Sequence, residues 1–575
     1  MIFPAVASPL PHNSGLTSVQ CNRPTGEMGV LMSRLAIAAA LTLFLVPITA
    51  APEDSPQTPQ IRVSTRLVEI GVIVRDKNGP VANLTKNDFT VLDRGKPQTI
   101  RVLTVNAAVP AQQPQETLPP NTFTDLPQYG ATVPRSVTVV LLDNLNTLYG
   151  SAPESKFETA PYWLEDLALQ NAKNHLIQFI QRLQPQDRVA IYGLRDSLHV
   201  LCDFTSDHSK LLAILKNYDT ASVTNRAIVE PGLKHAPVQA ADAFENGAAA
   251  FKAADANEER GAETIAALQQ IAAHVANIPG RKNLIWLTAN LPFSAVAMAR
   301  ILSPAQIAAY PIDARGLLAR TTPTGPGDGE DAYTLGIGAG AVSDGTAPAQ
   351  SHQPIGIATM EQLADETGGQ AFVNTNDITG AIRKAVEDSA VTYTLGFYIN
   401  RDALDGKFHE VKVEVRGKGL TVRYPKGYFA FPDAAPTKNE EEQVVETALQ
   451  SPVESSMIPL QATLARVSQP EPNSLSLSCS IDIRNLQLAQ RSNLRKGTVI
   501  VYVFEQDQTG KVVYQWDRGY SFQLTDAQYA ALLKSGMTFH QYLHPKAAVT
   551  TLRVLIEDPA TSEVGSLIIP LSQIN

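Results

Sequence analysis

The chain has 575 residues, 44% of them hydrophobic, with a formal net charge of -9. That length holds several domains with sizeable cores. The negative balance, with no block of five or six basic residues, argues against a nucleic-acid binder held by phosphate contacts. Its three cysteines, Cys21, Cys202 and Cys479, fall in separate segments, so neither a disulfide framework nor a thiolate metal site is expected.

Residues 1–50 read as an export signal. Arg34 precedes the apolar run Leu35–Val46, and Ile48-Thr49-Ala50 offers a small-residue cleavage site before Ala51-Pro52. The run is too short to favour a membrane-spanning helix. Residues 1–27 are long and polar for a leader, and Met28 or Met32 would make a more usual start. The mature chain is therefore expected in the periplasm or outside the cell, with no transmembrane segment once the signal is removed.

Residues 58–107 read as a small immunoglobulin-like β-domain. Ile61–Val74 has strand composition, Asn78-Gly79 signals a tight turn, and Thr85 can cap Lys86–Asp88. Phe89–Leu92, a turn at Asp93–Gly95 and Gln98–Val105 suggest a hairpin. This length is near the lower limit for independent stability, so docking on a neighbour is expected. The Pro- and Gln-rich segment 108–132 reads as a linker.

From 133 to 430, strands and helices alternate. Val137–Leu142 is a continuous apolar or β-branched run ending in Asp143, which suits a central parallel strand covered on both faces. Leu164, Leu167, Ala168, Ala172, Leu176, Phe179, Ile180 and Leu183 mark one face of a helix. Arg188–Tyr192 and Leu198–Phe204 follow as strands, and His208–Tyr218 as a helix. The Ala-rich stretch 238–277 carries an apolar stripe in its second half. Asn283–Leu287 and Ala309–Asp313 are further buried strands, and 319–355 is a long Gly-, Pro- and Thr-rich insertion. Met360–Thr367 is a helix stopped by Gly368-Gly369, Gln370–Val373 a strand, and Ile378–Ala390 a helix. Strands close the region at Tyr393–Ile399, His409–Val415 and Leu420–Tyr424. The fold class this predicts is α/β, with a central doubly wound, mostly parallel sheet. Residues 431–457 read as a second linker and 458–575 as a β-sandwich with one helix capped by Thr525.

An aspartate at the carboxyl end of a central strand lies where open α/β sheets bind ligands. Other constellations are weaker. Gly336–Gly340 neither follows a clear strand nor opens a clear helix. Asp328–Asp331 lacks the remaining spacing of a calcium loop. His199 and His208 flank Asp203 without a readable nucleophile. Tyr393, Phe397, Tyr398, Tyr424, Tyr428 and Phe429 fit either a binding surface or a core packed against the small β-domain.

One ordered set of segments resembles a known family. It runs through Thr65–Val74 with Leu84–Phe89, Leu142-Asp143 with Asn146-Thr147, Asp187–Ile191, Leu201–Asp207, Gly280–Trp286, Tyr310–Gly316, Leu363–Gly369, Tyr393–Tyr398, Lys407–His409 and Arg423–Phe429. This set resembles the von Willebrand factor A-type fold, and more specifically bacterial exported proteins with a von Willebrand factor A-related domain. The resemblance implies a protein-interaction module rather than an enzyme. It also implies a divalent-cation site with an Asp-x-Ser-x-Ser loop and a later Thr and Asp.

Against that pattern Asp143 matches, Leu145 replaces the first Ser, and Thr147 keeps a hydroxyl at the second. Asn144 and Asn146 offer amide oxygens. The later strand ends in Leu287-Thr288-Ala289-Asn290, where the family has an aspartate. Asp143 and Thr147 are thus the candidate ligands of a degenerate metal-ion-dependent adhesion site. One formal charge with neutral oxygens makes a poor cage for Mg²⁺, so no cofactor is expected, with Mg²⁺ or another divalent cation as the alternative. Asp143 could instead cap the loop that follows it. The candidate partner-binding rim is Asp143, Asn144, Asn146, Thr147, Asp196, Thr288 and Asn290, facing an unidentified protein or cell-surface ligand. The function so read is exported, non-catalytic adhesion or scaffolding. The alternatives are an exported hydrolase with residues in 319–355, or a structural subunit of an envelope assembly.

Overall fold

The computed structural model describes residues 65–107, 118–125, 136–146, 163–184, 187–219, 242–278, 280–291, 293–316, 356–432, 435–468, 474–491 and 493–574. The expected signal at 1–50, the insertion at 319–355 and Thr147 lie outside the described residues.

The longer strands of the first described segment are β1 (Thr65–Asp76), β2 (Phe89–Asp93) and β3 (Val102–Ala107). The α/β region follows as β4 (Ser136–Asp143), α1 (Trp163–Ile180), β5 (Asp187–Leu194), β6 (Leu198–Thr205), α2 (His208–Asn217), α3 (Asp242–Val275), β7 (Lys282–Thr288), α4 (Ala295–Leu302), β8 (Ile307–Asp313), α5 (Ile357–Thr367) and α6 (Ile378–Glu387). Its sheet has the order β8-β7-β4-β5-β6. The first three pairings are parallel and β5-β6 is antiparallel.

The unbroken apolar run of β4 follows from burial on both sides. Val137, Val139 and Leu141 join a core with Leu268 and Ile271 of α3, Met298 of α4 and Leu363 of α5. Val140 and Leu142 point the other way, into a core with Leu176 and Ile180 of α1, Leu211 and Leu215 of α2 and Ile382 of α6. Side chains alternate across a strand, so only a strand with helices on both faces needs apolar residues at consecutive positions.

Local signals set several ends. The Asp207 carboxylate accepts from the Ser209 and Lys210 N–H groups and starts α2. Gly368 adopts φ +74 at the end of α5, a conformation glycine takes without penalty. Gly369 has no room for a side chain, because a Cβ there would overlap the Ala309 carbonyl of β8. The expected strand at Gln370–Val373 reduces to one bridge, Ile312 to Phe372.

The N-terminal strands do not form a unit of their own. β9 (Val391–Asn400) pairs antiparallel with β1, from Thr65–Asn400 to Val72–Tyr393, and also with β3. β10 (Phe408–Val415) pairs with β2, and β11 (Thr421–Arg423) with β1. Residues 65–107 and 391–430 therefore build one β unit around Phe89, Val91, Tyr393, Phe397 and Tyr428. The short N-terminal segment cannot cover its own apolar faces, and the late strands supply the missing layer. Of the late aromatics, Tyr424 and Phe429 are partly buried, and Tyr393, Phe397 and Tyr428 are core. Tyr398, 48% exposed, is not.

The two segments read as linkers also carry structure. Thr122–Thr124 adds an edge to β12 (Leu460–Val467), and α7 (Lys438–Gln450) begins with a Thr437–Glu440 capping box. The sandwich continues with β13 (Ser474–Ile481), β14 (Leu494–Gln506), β15 (Val512–Thr525), α8 (Asp526–Ser535), β16 (Met537–Leu543), β17 (Thr551–Asp558) and β18 (Glu563–Pro570). Thr525 caps α8 through the Gln528 N–H. The chain is α/β, and among the described residues parallel strand pairing is confined to the β4 sheet. The other four sheets pair antiparallel throughout, as expected where short turns join strands with one buried face. No helix among the described residues is long and apolar enough to cross a membrane.

Lys282, at the start of β7, is only 3% exposed, and its Nζ donates to the Ile278 carbonyl at 2.8 Å. Burial lowers its pKa to about 7, with Glu69 opposing the shift. A depressed lysine binds its proton in the unfolded chain up to pH ~10.4 while the folded chain has released it. Its contribution to stability therefore rises from about pH 7 towards pH 10 and is lost as pH falls through that window. Lys282→Met is expected to raise stability at pH 7 by about 1 kcal/mol or more and to lack this rise. Guanidinium denaturation of both proteins at pH 7 and pH 10 measures it, and equal pH slopes would refute it.

Candidate functional site

β4, β5, β7 and β8 end at one edge of the sheet, and most of the sequence-derived rim residues gather there. Asp143 is 0% exposed. Its Oδ1 accepts from the Asn146 backbone N–H at 2.8 Å. Its Oδ2 accepts from Asn146 Nδ2 at 3.0 Å and from Trp286 Nε1 at 2.8 Å. Burial raises the Asp143 pKa, and the Asn146 and Trp286 donors pull against it. The carboxylate therefore folds the loop after β4 back onto the strand end and pins it to β7.

The loop is tied on its other sides too. The Asn144 and Leu145 N–H groups both donate to the Leu194 carbonyl, at 2.8 and 3.1 Å. Asn144 Oδ1 accepts from the Tyr218 hydroxyl at 2.7 Å. Asn146 Nδ2 also reaches Thr264 Oγ1 of α3 at 2.9 Å, and that hydroxyl donates to the Arg260 carbonyl. Leu145 is buried in the core beneath the edge, which explains why an apolar residue stands where the family pattern has serine.

Thr288 and Asn290 form a separate turn. The Thr288 hydroxyl donates to the Asn290 carbonyl at 2.9 Å, and the Thr288 carbonyl accepts from the Ala314 N–H. Asp313, at the end of β8, holds Arg315 through two bonds of 2.7 Å. Asp196 lies further out, in the turn between β5 and β6, with its side chain 79% exposed and 2.8 Å from His199 Nε2. The His199 contact holds its carboxyl below the usual range. On α3, Glu263 is pushed up by burial and then by Asp196 and Glu259. Above the loop, the Arg195 guanidinium lies 5.1 Å from the centre of the Tyr218 ring.

The structure thus brings Asp143, Asn144, Asn146 and Thr288 together and leaves Asp196 on the outer rim. Trp286, Thr264 and Tyr218 were not singled out from the sequence. Two of them left a trace there: a buried indole needs an acceptor for its N–H, and Thr264 lies one helical turn before Leu268 on the apolar stripe of α3. Tyr218 comes from the end of α2 and left no such trace.

The described residues do not fit a divalent-cation cage. Hard cations need several free oxygens, and both Asp143 oxygens already accept N–H bonds. Leu145 offers no oxygen, the Thr288 hydroxyl is used in its own turn, and both Asp313 oxygens are held by Arg315. Among the described residues no group of three or more His, Cys, Asp or Glu could hold an ion. The arrangement instead makes a fixed, buried polar network: Asn144, Asn146 and Thr288 are 1%, 2% and 0% exposed, and Asn146 Oδ1 and Asn290 Oδ1 are buried acceptors with no partner among the described residues.

No protein-family model matches the chain, and no curated relative matches it. Among solved structures, it is similar to an aerotolerance-related membrane protein from Bacteroides fragilis, at 15% identity over 44% of this chain and 98% of that one, with a TM-score of 0.25. It is also similar to proximal thread matrix protein 1 from the mussel byssus with a zinc-occupied MIDAS motif, at 9% identity over 46% of this chain and 48% of that one, TM-score 0.23. The pilus adhesin SpaC from Lactobacillus rhamnosus GG aligns over 87% of this chain and 58% of its own, at 9% identity and a TM-score of 0.24. Similarity this low carries no functional argument.

Proposed function

We propose that this chain is an exported, non-catalytic interaction protein with a von Willebrand factor A-like domain. Its partner is a protein or a cell-surface ligand, and contact is made at the carboxyl edge of the β4 sheet. The site is a degenerate metal-ion-dependent adhesion site that works without a cation. The observation that carries this reading is the Asp143 carboxylate. Three N–H bonds engage both of its oxygens, so it shapes the loop from within, and the half-buried Asn290 and exposed Asp196 are the rim residues left to face the partner. The strand order β8-β7-β4-β5-β6, helices on both faces and an aspartate closing the central strand support the domain assignment. The Arg34 and Leu35–Val46 pattern supports export to the periplasm or beyond.

A photo-crosslinking residue placed at Asp196 tests the location without disturbing the buried network. Expressed in the native envelope, it is expected to give discrete adducts, while the same residue at exposed Gln508, on the sandwich hairpin, gives none. Adducts at Gln508 alone would favour docking through the sandwich, as an envelope subunit would. Turnover in a broad hydrolase screen would overturn the non-catalytic reading.

A further inference from the structure

A cavity of about 630 Å³ opens where α3, the end of α4, α7 and β18 meet. Three parts of the chain wall it: the α/β domain, the helix that follows the β unit, and the sandwich. Most of the wall is apolar, with Ala272 and Ala273 from α3, Ala276 just after it, Ala305 after α4, Val444 from α7 and Val564 from β18. This is the size and character of a small-ligand pocket.

The polar lining has one sign. Among the described residues of the lining, Glu440 and Glu563 are the charged ones, with no Lys, Arg or His. Glu440 is held in place by Thr437, whose N–H and hydroxyl both donate to its Oε2, at 2.7 and 2.9 Å. Those bonds, the backbone N–H first, keep its acid below the ordinary range. Glu563 makes no hydrogen bond or ion pair through its carboxylate among the described residues. Burial pushes its acid up to about 7, Asp558 adds to the shift and Arg66 opposes it. Two further lining residues carry buried side-chain oxygens without a partner among the described residues, Gln270 Oε1 and Ser562 Oγ.

A carboxylate withdrawn from water with no cation in contact is costly, and a cation beside it recovers that cost. We propose that this cavity binds a small organic ammonium, a protonated amine on a short apolar stem, with its nitrogen at Glu563 and its stem along the alanines of α3 and Val444. The neutral wall supplies burial for the stem, and the acidic lining rejects anions of the same shape. This site is separate from the strand-edge rim and does not depend on the reading of that rim.

Calorimetry on the full chain at pH 8 tests it with hexylamine, hexanol and hexanoate. Hexylamine is expected to bind at least about tenfold more tightly than hexanol, because only the amine pairs with the carboxylate, and hexanoate is expected not to bind. Protonation of Glu563 is expected to weaken hexylamine about tenfold between pH 8 and pH 6, the ratio of ionised acid for a group titrating near 7. Glu563→Gln is expected to remove the preference for the amine. Ala276→Leu, which narrows the cavity without touching the carboxylate, is expected to weaken hexylamine and hexanol alike. Equal affinity for hexylamine and hexanol, or no change in hexylamine binding between pH 6 and pH 8, would overturn the assignment. The pH arm requires no variant to fold.

Discussion

Asp388→Ala is expected to lower the unfolding free energy by about 3–5 kcal/mol. Asp388 follows α6 and is 0% exposed. Its Oδ1 holds Arg75 of β1 at 3.0 Å, and its Oδ2 holds Arg423 of β11 and the Tyr310 hydroxyl of β8 at 3.3 Å. One carboxylate of the α/β domain thus receives two arginines from the β unit, on strands that pair with each other. Taking it away leaves two partly buried guanidinium groups facing each other, and the Tyr310 hydroxyl loses an acceptor. The cost of unpaired charge exceeds the net value of the pair, which is why removing one partner is worse than never having had the pair. Guanidinium denaturation measures the loss, and a value below about 1 kcal/mol, typical of an exposed ion pair, would refute it. Combined with Arg75→Ala, the effects should fall short of additive by about 1–3 kcal/mol, because the two residues share one contact.

Asp143→Ala is expected to cost about 3 kcal/mol or more, since it strands three N–H donors in a site without water access. Those donors are the Asn146 backbone, Asn146 Nδ2 and Trp286 Nε1. Asp143→Asn is expected to be nearly as damaging. It keeps the shape, but one oxygen becomes an NH₂ group pointed at other donors. A readout specific to this network accompanies the stability loss: the fluorescence of Trp286 shifts, and amide exchange quickens at residues 144–146. If Asp143→Asn matched the wild type in stability and in exchange, the carboxylate would not be what organises the loop.

Much of the local structure was legible because it depends on neighbours in the chain. Val137–Leu142 announced a strand covered on both faces. Thr525 announced a helix start, and Gly368-Gly369 a helix end. Asp143 was legible as a residue of consequence, because its place at a strand end needed only the run before it. Its partners were harder to see. Trp286 lies 143 residues away and Thr264 lies 118 residues from Asn146, and no spacing rule connects them. The division into domains went astray for the same reason. A strand at Thr122–Thr124 reads as linker until β12, more than 330 residues later, supplies its partner. The N-terminal strands read as a separate domain until β9 and β10 complete them.

By itself, the sequence determined most of the strands and helices, which faces are apolar, and that an aspartate closes the central strand. Those features rest on periodicity, capping and turn chemistry, all of which act over a few residues. Only the tertiary structure decided which strands share a sheet, that two arginines of the β unit meet Asp388, and that the Asp143 carboxylate is spent on N–H donors. Those outcomes depend on which distant groups reach each other once the cores have packed. A carboxylate's chemistry is set by what surrounds it, since burial, charge and hydrogen bonding all act through space.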